Sequence, residues 1–167
     1  MASNPIPKID SKNNIVGETT IKEARDHGWP RRVTRVFIFN EKEQVLLQKR
    51  SKTAAIHPDV WDCSGGHVDL AESYTEAGER EIHEELQAQV TVKEVAAPVF
   101  FEDTFYTPCT SFVDSNTEFV LKEDEVTDAK WVSRDELSQM IALHPSYFTP
   151  WLVHMWENYE NKMTSAV

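Results

Sequence analysis

Apolar positions fall into two kinds of run along this chain, and they predict an alternation of strands and helices. Residues 33–40 (VTRVFIFN) and 45–50 (VLLQKR) are rich in β-branched and aromatic side chains, and the polar stretch Glu41-Lys42-Glu43-Gln44 between them reads as a hairpin turn. A short strand over 14–18 and a helical turn over 20–27 are expected before them. After Arg50 a loop of about a dozen residues, long by the usual distribution, leads through Pro58 to Trp61 and a pair of glycines. The period then changes. From 73 to 86 the apolar positions Tyr74, Ala77, Gly78, Ile82 and Leu86 recur at helical spacing. Strands are expected near 90–101, 105–113, 118–122 and 128–132, then helices from about Ser133 and Tyr147. Thr149-Pro150-Trp151 has the form of an N-cap followed by Pro at the first helical position. Strands bracketing a helix make this an α/β chain.

Length and charge narrow the picture. The 167 residues can bury one full core but not two, so one domain over 1–167 is expected. A formal charge of −11 argues against binding a nucleic acid polymer or an anionic membrane through bulk electrostatics. Nucleotides stay open, because a bound metal inverts the local sign. No apolar run has the length of a membrane span. The first ten residues (MASNPIPKID) have neither a basic start nor an apolar stretch of signal-peptide length. Cys63 and Cys109 make no disulfide framework, so a reducing, cytoplasmic setting is expected. The oligomeric state is left open, a homodimer included.

The chemistry concentrates in the helical segment. Glu81, Glu84 and Glu85 stand at i, i+3 and i+4, so at roughly 100° per residue they share one narrow arc. Most charge runs are solvated faces. Here, however, the positions four residues away supply Ala77, Ala88 and Gln89, and only Arg80 as a partner. Carboxylates crowded in this way repel unless a cation arrives, and hard oxygen ligands at that density suit Mg²⁺ or Mn²⁺.

Residues 66–88, GHVDLAESYTEAGEREIHEELQA, resemble the Nudix box, Gx5Ex7REUxEExGU with U aliphatic. Gly66 and Glu72 fill the first two fixed positions, Arg80 and Glu81 follow, Ile82 is the aliphatic residue, and Glu84 and Glu85 are the paired acids. One position departs: Gln87 stands where the family has a glycine that ends the helix in a left-handed conformation, at a cost of ~1 kcal/mol. The resemblance implies the Nudix fold, an α/β/α sandwich with a mixed β-sheet and flanking helices. It also implies a metal-dependent hydrolase that cleaves a diphosphate linkage in a nucleoside diphosphate derivative or related small molecule. On that reading Glu81, Glu84 and Glu85 bind Mg²⁺ or Mn²⁺ and carry catalysis with Arg80. The backbone of Gly66 comes close to the metal or phosphate. Glu72 and Arg80 orient the loop and the acids.

Outside the box, an acidic loop in many Nudix proteins supplies a further carboxylate, for which Glu125 is the candidate metal ligand. Arg31, Arg32, Arg35, Lys49 and Arg50 lie on the strands expected beside the helix. Of these Arg31, Arg35 and Arg50, together with Gly65, are the candidate substrate-binding residues, although on alternating strands only some can face the site. Trp61 and Trp131 are expected in the core and His83 on the solvent side. The chain also resembles the branch that includes isopentenyl-diphosphate isomerase, through Val60-Trp61-Asp62, His67, Asp124-Glu125-Val126, Trp131-Val132-Ser133 and Phe148-Thr149-Pro150. The isomerase has a cysteine where this chain has Gly65, and a glutamate on a later strand that Thr107-Pro108-Cys109 lacks. Two metal-binding histidines find no match at Pro30 or Arg31. The full acid set favours a hydrolase over an isomerase or a non-catalytic nucleotide sensor.

Overall fold

The computed structural model describes residues 4–163. Two β-branched runs form β3 (Arg31–Phe39) and β4 (Gln44–Arg50), and the polar hairpin between them closes through Asn40, whose side-chain oxygen accepts from Lys42 and Gln44 N–H. The two strands are in register only at Phe39 and Val45 and then separate. Into the opening come β5 (Trp61–Asp62), paired with β4, and β6 (Ser64–His67), paired with β3 from Val36↔Ser64 to Val33↔His67. Neither short strand was expected, because a glycine-rich stretch without β-branched residues has no strand signature of its own. It is extended because two splayed strands offer it unpaired backbone groups.

On its other edge β3 runs parallel to β9 (Thr104–Phe112), which carries β7 (Val92–Glu94) and β8 (Val99–Phe101) antiparallel; β10 (Val126–Ser133) covers β4. The sheet is therefore mixed. The strand expected over 90–101 is two strands, interrupted ahead of Pro98, which cannot donate to a ladder. The stretch 118–122 is extended but joins no strand. Val120 and Lys122 donate their N–H groups to the carbonyls of Leu86 and Glu85 at the end of the helix, satisfying acceptors that a helix terminus leaves free. An unforeseen strand, β1 (Ile6–Ile9), pairs with β2 (Ile15–Thr19) in a separate two-stranded sheet.

Period-two alternation sends β3 side chains to two apolar layers. Val36 and Ile38 pack with Ile82 and Leu86 of α2 (Tyr74–Leu86), whereas Val33, Phe37 and Phe39 pack with α3 (Arg134–Leu143) and α4 (Pro150–Tyr159). α2 begins at a capping box, Ser73 with Glu76, and approaches the sheet at Gly78, where a Cβ would sit 3.0 Å from Val36. It ends on Gln87 at φ 54°, left-handed as the sequence pattern implies. α4 starts later than expected, after a 3₁₀ turn at Pro145–Tyr147. Thr149 holds the N-cap position without capping; its hydroxyl donates to buried Asp62 instead. His83 is exposed, as expected, whereas Trp61 and Trp131, expected in the core, are only partly buried against the two apolar layers. Among the described residues no helix is long and apolar enough to cross a membrane.

Candidate functional site

The inner face of α2 meets β6 residue by residue. Glu85 accepts a 2.5 Å hydrogen bond from Ser64, and Glu81 lies over Gly66, where a Cβ would fall 2.1 Å from its carboxylate oxygen. The matching is geometric: two residues along a strand advance about 6.6 Å and four along a helix about 6 Å, so strand positions 64 and 66 face helix positions 85 and 81. Gly65, between them, sits at φ 151°, with a virtual Cβ 2.1 Å from the Thr34 carbonyl oxygen. Both glycines are thus fixed by space, one by a carboxylate and one by backbone.

Arg80 ties the cluster to the loop before the helix. It grips Glu72 through Nε and Nη2 at 2.6 and 3.1 Å, and Nη2 also donates to the His67 carbonyl at 2.9 Å. Its Nη1 reaches Glu81 at 3.1 Å and Glu84 at 3.3 Å. One guanidinium is not enough for the acids around it. Burial pushes the Glu81 carboxyl up to about 7, with Arg80 opposing and Glu84 adding to the rise. Glu85 is likewise pushed well above the carboxylate range by burial and by the charge of Glu81, against the Ser64 hydrogen bond. Glu84 is half-exposed at the outer side of the arc.

Such a group of oxygen donors fits a hard divalent cation. Two carboxyls held largely away from water would gain from added positive charge, and Gly66, lacking a Cβ, lets the Glu81 carboxylate lie directly against its backbone. Among the described residues no three acidic, histidine or cysteine side chains are yet posed around one point. Arg80 Nη1 supplies the positive charge that Glu81 and Glu84 share.

The acids form one wall of a cavity of about 490 Å³ whose lining also includes Arg35, Arg50, Gly65, Gly66 and Glu125. Of the expected site residues, Arg31 alone lies outside it. Arg31 is on the β3 face that looks toward α4, 4% exposed and ion-paired with Asp103. Arg35 shares that face but reaches the cavity at the open end of the sheet, with its guanidinium 4.2 Å from the Trp151 ring centre. Arg50 is engaged by Asp62 and by the carbonyls of Ile56 and His57, so it shapes the loop over 51–60. The Glu125 carboxylate pairs with Lys122 at 2.6 Å and is half-exposed.

Three residues here carried no such role in the sequence reading. Ser64 could have been found by counting back two from Gly66 on the same strand face. Asp62 is a buried acceptor for Cys63 N–H, Thr149, Trp151 and Arg50, and joins β4, β5 and α4. His67 takes a 3.3 Å contact from Arg31 at Nε2; as arginine only donates, its proton is on Nδ1. Burial, reinforced by Arg31, Arg35, Arg25 and Arg80, pulls its pKa down to about 3. Cys63, on the face opposite Ser64 and Gly66, packs in the apolar layer and borders the acid-lined cavity, and burial pushes its thiol well above its ordinary range.

Comparison with known proteins places these features in context. The NUDIX domain pattern matches residues 29–152. An uncharacterized Nudix hydrolase of Listeria monocytogenes is 33% identical over 138 residues, 79% of this chain and 81% of that protein. An isopentenyl-diphosphate Delta-isomerase of Nocardia farcinica is 28% identical over 92% of this chain and 93% of its own. Among solved structures, a Deinococcus radiodurans protein superposes with a TM-score of 0.80 at 19% identity, covering 93% of this chain and 98% of that one. A MutT protein of Methanosarcina mazei gives 0.64 at 23% identity, over 80% and 95%.

Proposed function

The chain belongs to the Nudix family, in a branch that resembles the isopentenyl-diphosphate isomerases, and from that premise we propose that it is a metal-dependent pyrophosphohydrolase. Its substrate is a small molecule with a diphosphate linkage, a nucleoside diphosphate derivative or a relative of one. The observation that carries this reading is the pair of carboxyls, Glu85 buried and Glu81 largely so, facing a glycine strand with less positive charge than they need. Glu81, Glu84 and Glu85 would hold Mg²⁺ or Mn²⁺, with Gly66 and Glu125 close by. Bound there, the ion would neutralise charge developing on the phosphoryl oxygens and acidify a water.

The chain's own groups do the rest. Arg80, anchored on Glu72, keeps the helix and the preceding loop in fixed relation. Glu84 and Glu125, both half-exposed on the cavity wall, are the carboxylates that solvent reaches, and one of them orients the attacking water and takes its proton. Arg35 offers a cation to the substrate from across the cavity.

An isomerase reading draws on the similarity to the Nocardia protein over 92% of this chain, but Gly65 has no thiol, and Cys63, two residues upstream, is 4% exposed with its thiol pushed by burial well above its ordinary range. A panel of diphosphate compounds with Mg²⁺ or Mn²⁺ separates the two. Phosphate released after coupled phosphatase treatment, with Cys63→Ala within a few-fold of wild type, supports hydrolysis. Conversion of isopentenyl to dimethylallyl diphosphate without hydrolysis would replace it with the isomerase.

A further inference from the structure

A second cavity of about 480 Å³ opens on the α4 side of the sheet and shares Arg25, Arg35, His67 and Trp151 with the acid-lined one. Arg25 comes from α1 (Ile21–His27), while Arg31 and Arg35 stand two strand steps apart on one face of β3. Arg31 is 4% exposed, a depth at which a guanidinium is costly unless its donors are matched. One ion-pair partner is present, Asp103 on an exposed turn, and Nη1 meets His67 Nε2. Its Nε is buried with no partner. So is Nε of Arg35, which has no carboxylate within ion-pair distance among the described residues. In a chain of net charge −11, this wall is a local excess of positive charge, and the Nε atoms of Arg31 and Arg35 are buried behind it without partners. Glu102 and Asp103 stand at its exposed rim.

We propose that this cavity is a subsite for a second phosphoryl group, carried by the substrate beyond its scissile diphosphate. The proposal rests on the hydrolase reading for the diphosphate itself, which would lie against the acids while the far phosphate lies between Arg31 and Arg35. An Arg Nε with a neighbouring Nη forms a fork that matches two phosphate oxygens. Asp103 already holds Nη2 of Arg31, so Arg35, with no ion-pair partner among the described residues, is the guanidinium that would turn such a fork toward a ligand, with Arg31 adding its charge. An apolar tail in the same place would leave both donors buried and unmatched. Trp29 and Trp151 line the same space and would flank the moiety that links the two phosphates.

The test separates this subsite from the hydrolysis. In metal-free protein, inorganic phosphate is titrated while the Nε–Hε resonances of Arg31 and Arg35 are followed by NMR. Both should shift saturably, and Arg31→Gln or Arg35→Gln should weaken phosphate binding by about tenfold or more, as expected for loss of a charge-assisted fork. Should Arg31→Gln not fold, Arg35→Gln and the more exposed Arg25→Gln decide the point. In parallel, two alkyl diphosphates identical except for a terminal phosphate or hydroxyl are compared with Mn²⁺. Preference for the phosphate-ended compound by about tenfold in kcat/KM, lost in Arg35→Gln, supports the subsite. Unmoved Arg resonances, or equal turnover of the two compounds, overturn it while leaving hydrolysis intact. No turnover of either compound would count against hydrolysis, and the phosphate titration would still decide the subsite.

Discussion

The two sides of the sheet at its open end carry opposite chemistries built in different ways. On the α2 side, Glu81, Glu84, Glu85 and Arg80 come from one helical stretch, and their geometry follows from i, i+3 and i+4 spacing against a glycine strand. On the α4 side, Arg25, Arg31 and Arg35 come from a helix and a strand, meet His67 and Trp151 from elsewhere, and share no local motif. Both sides hold charged groups below water. Burial raises the pKa of Glu81 and Glu85, whereas Arg31 and Arg35 each leave a buried donor unmatched. The difference teaches that the acid side is complete in kind but short of positive charge, and the basic side is short of an anion.

The hinge of this comparison is the glycine strand, and breaking it should have the largest effect. Gly65→Ala puts a Cβ against the Thr34 carbonyl at a backbone angle that side chains avoid, and is expected to destabilise by about 3 kcal/mol or more. Thermal unfolding checks this, and a melting temperature equal to wild type would show that β6 does not pack as described.

A smaller effect sharpens the acid side. The Glu81 carboxyl is raised to about 7 in the fold, above its unfolded value, so the folded metal-free protein binds more protons across that interval. The stability it contributes is complete below the unfolded pKa and is lost as pH rises through about 7. Metal-free wild type should therefore lose melting temperature between pH 5 and 8 more steeply than Glu81→Gln. Parallel slopes would mean that the carboxyl titrates normally.

The smallest effect lies at the helix exit, away from both cavities. Gln87 is left-handed at φ 54°, so Gln87→Gly should stabilise by up to about 1 kcal/mol with turnover unchanged. A fall in melting temperature would contradict this assignment.

What was legible in the sequence divides along the same line. The α2 limits and its buried face were readable because each depends on residues within a few turns of one another, and the left-handed Gln87 and the Glu72–Arg80 pair came from the resemblance to the box. The long strands β3 and β9 were readable from period and β-branching, and the mixed sheet from the resemblance to the Nudix family. The strand face of Arg31 followed from alternation only once β3 was fixed against its neighbours. Arg50 was legible as a basic residue beside the site, but not as a clamp on the Ile56 and His57 carbonyls, because that loop conformation comes from tertiary contacts. The stretch 118–122 has the composition of a strand, and it went to the helix terminus because the carbonyls of Glu85 and Leu86 lacked partners.

The central claim is that the buried acids of α2 await a divalent cation and use it in hydrolysis. The most direct measurement pairs melting temperature, with and without Mn²⁺, with turnover of a diphosphate substrate, for wild type and Glu85→Gln. The substitution keeps the side-chain shape and an acceptor for Ser64 but removes a buried charge. The account predicts that Mn²⁺ raises the wild-type melting temperature and does so less in the variant. It also predicts metal-free stability equal to or above wild type, and turnover at least about a hundredfold lower. Equal turnover of the two proteins, with neither responding to metal, would contradict it.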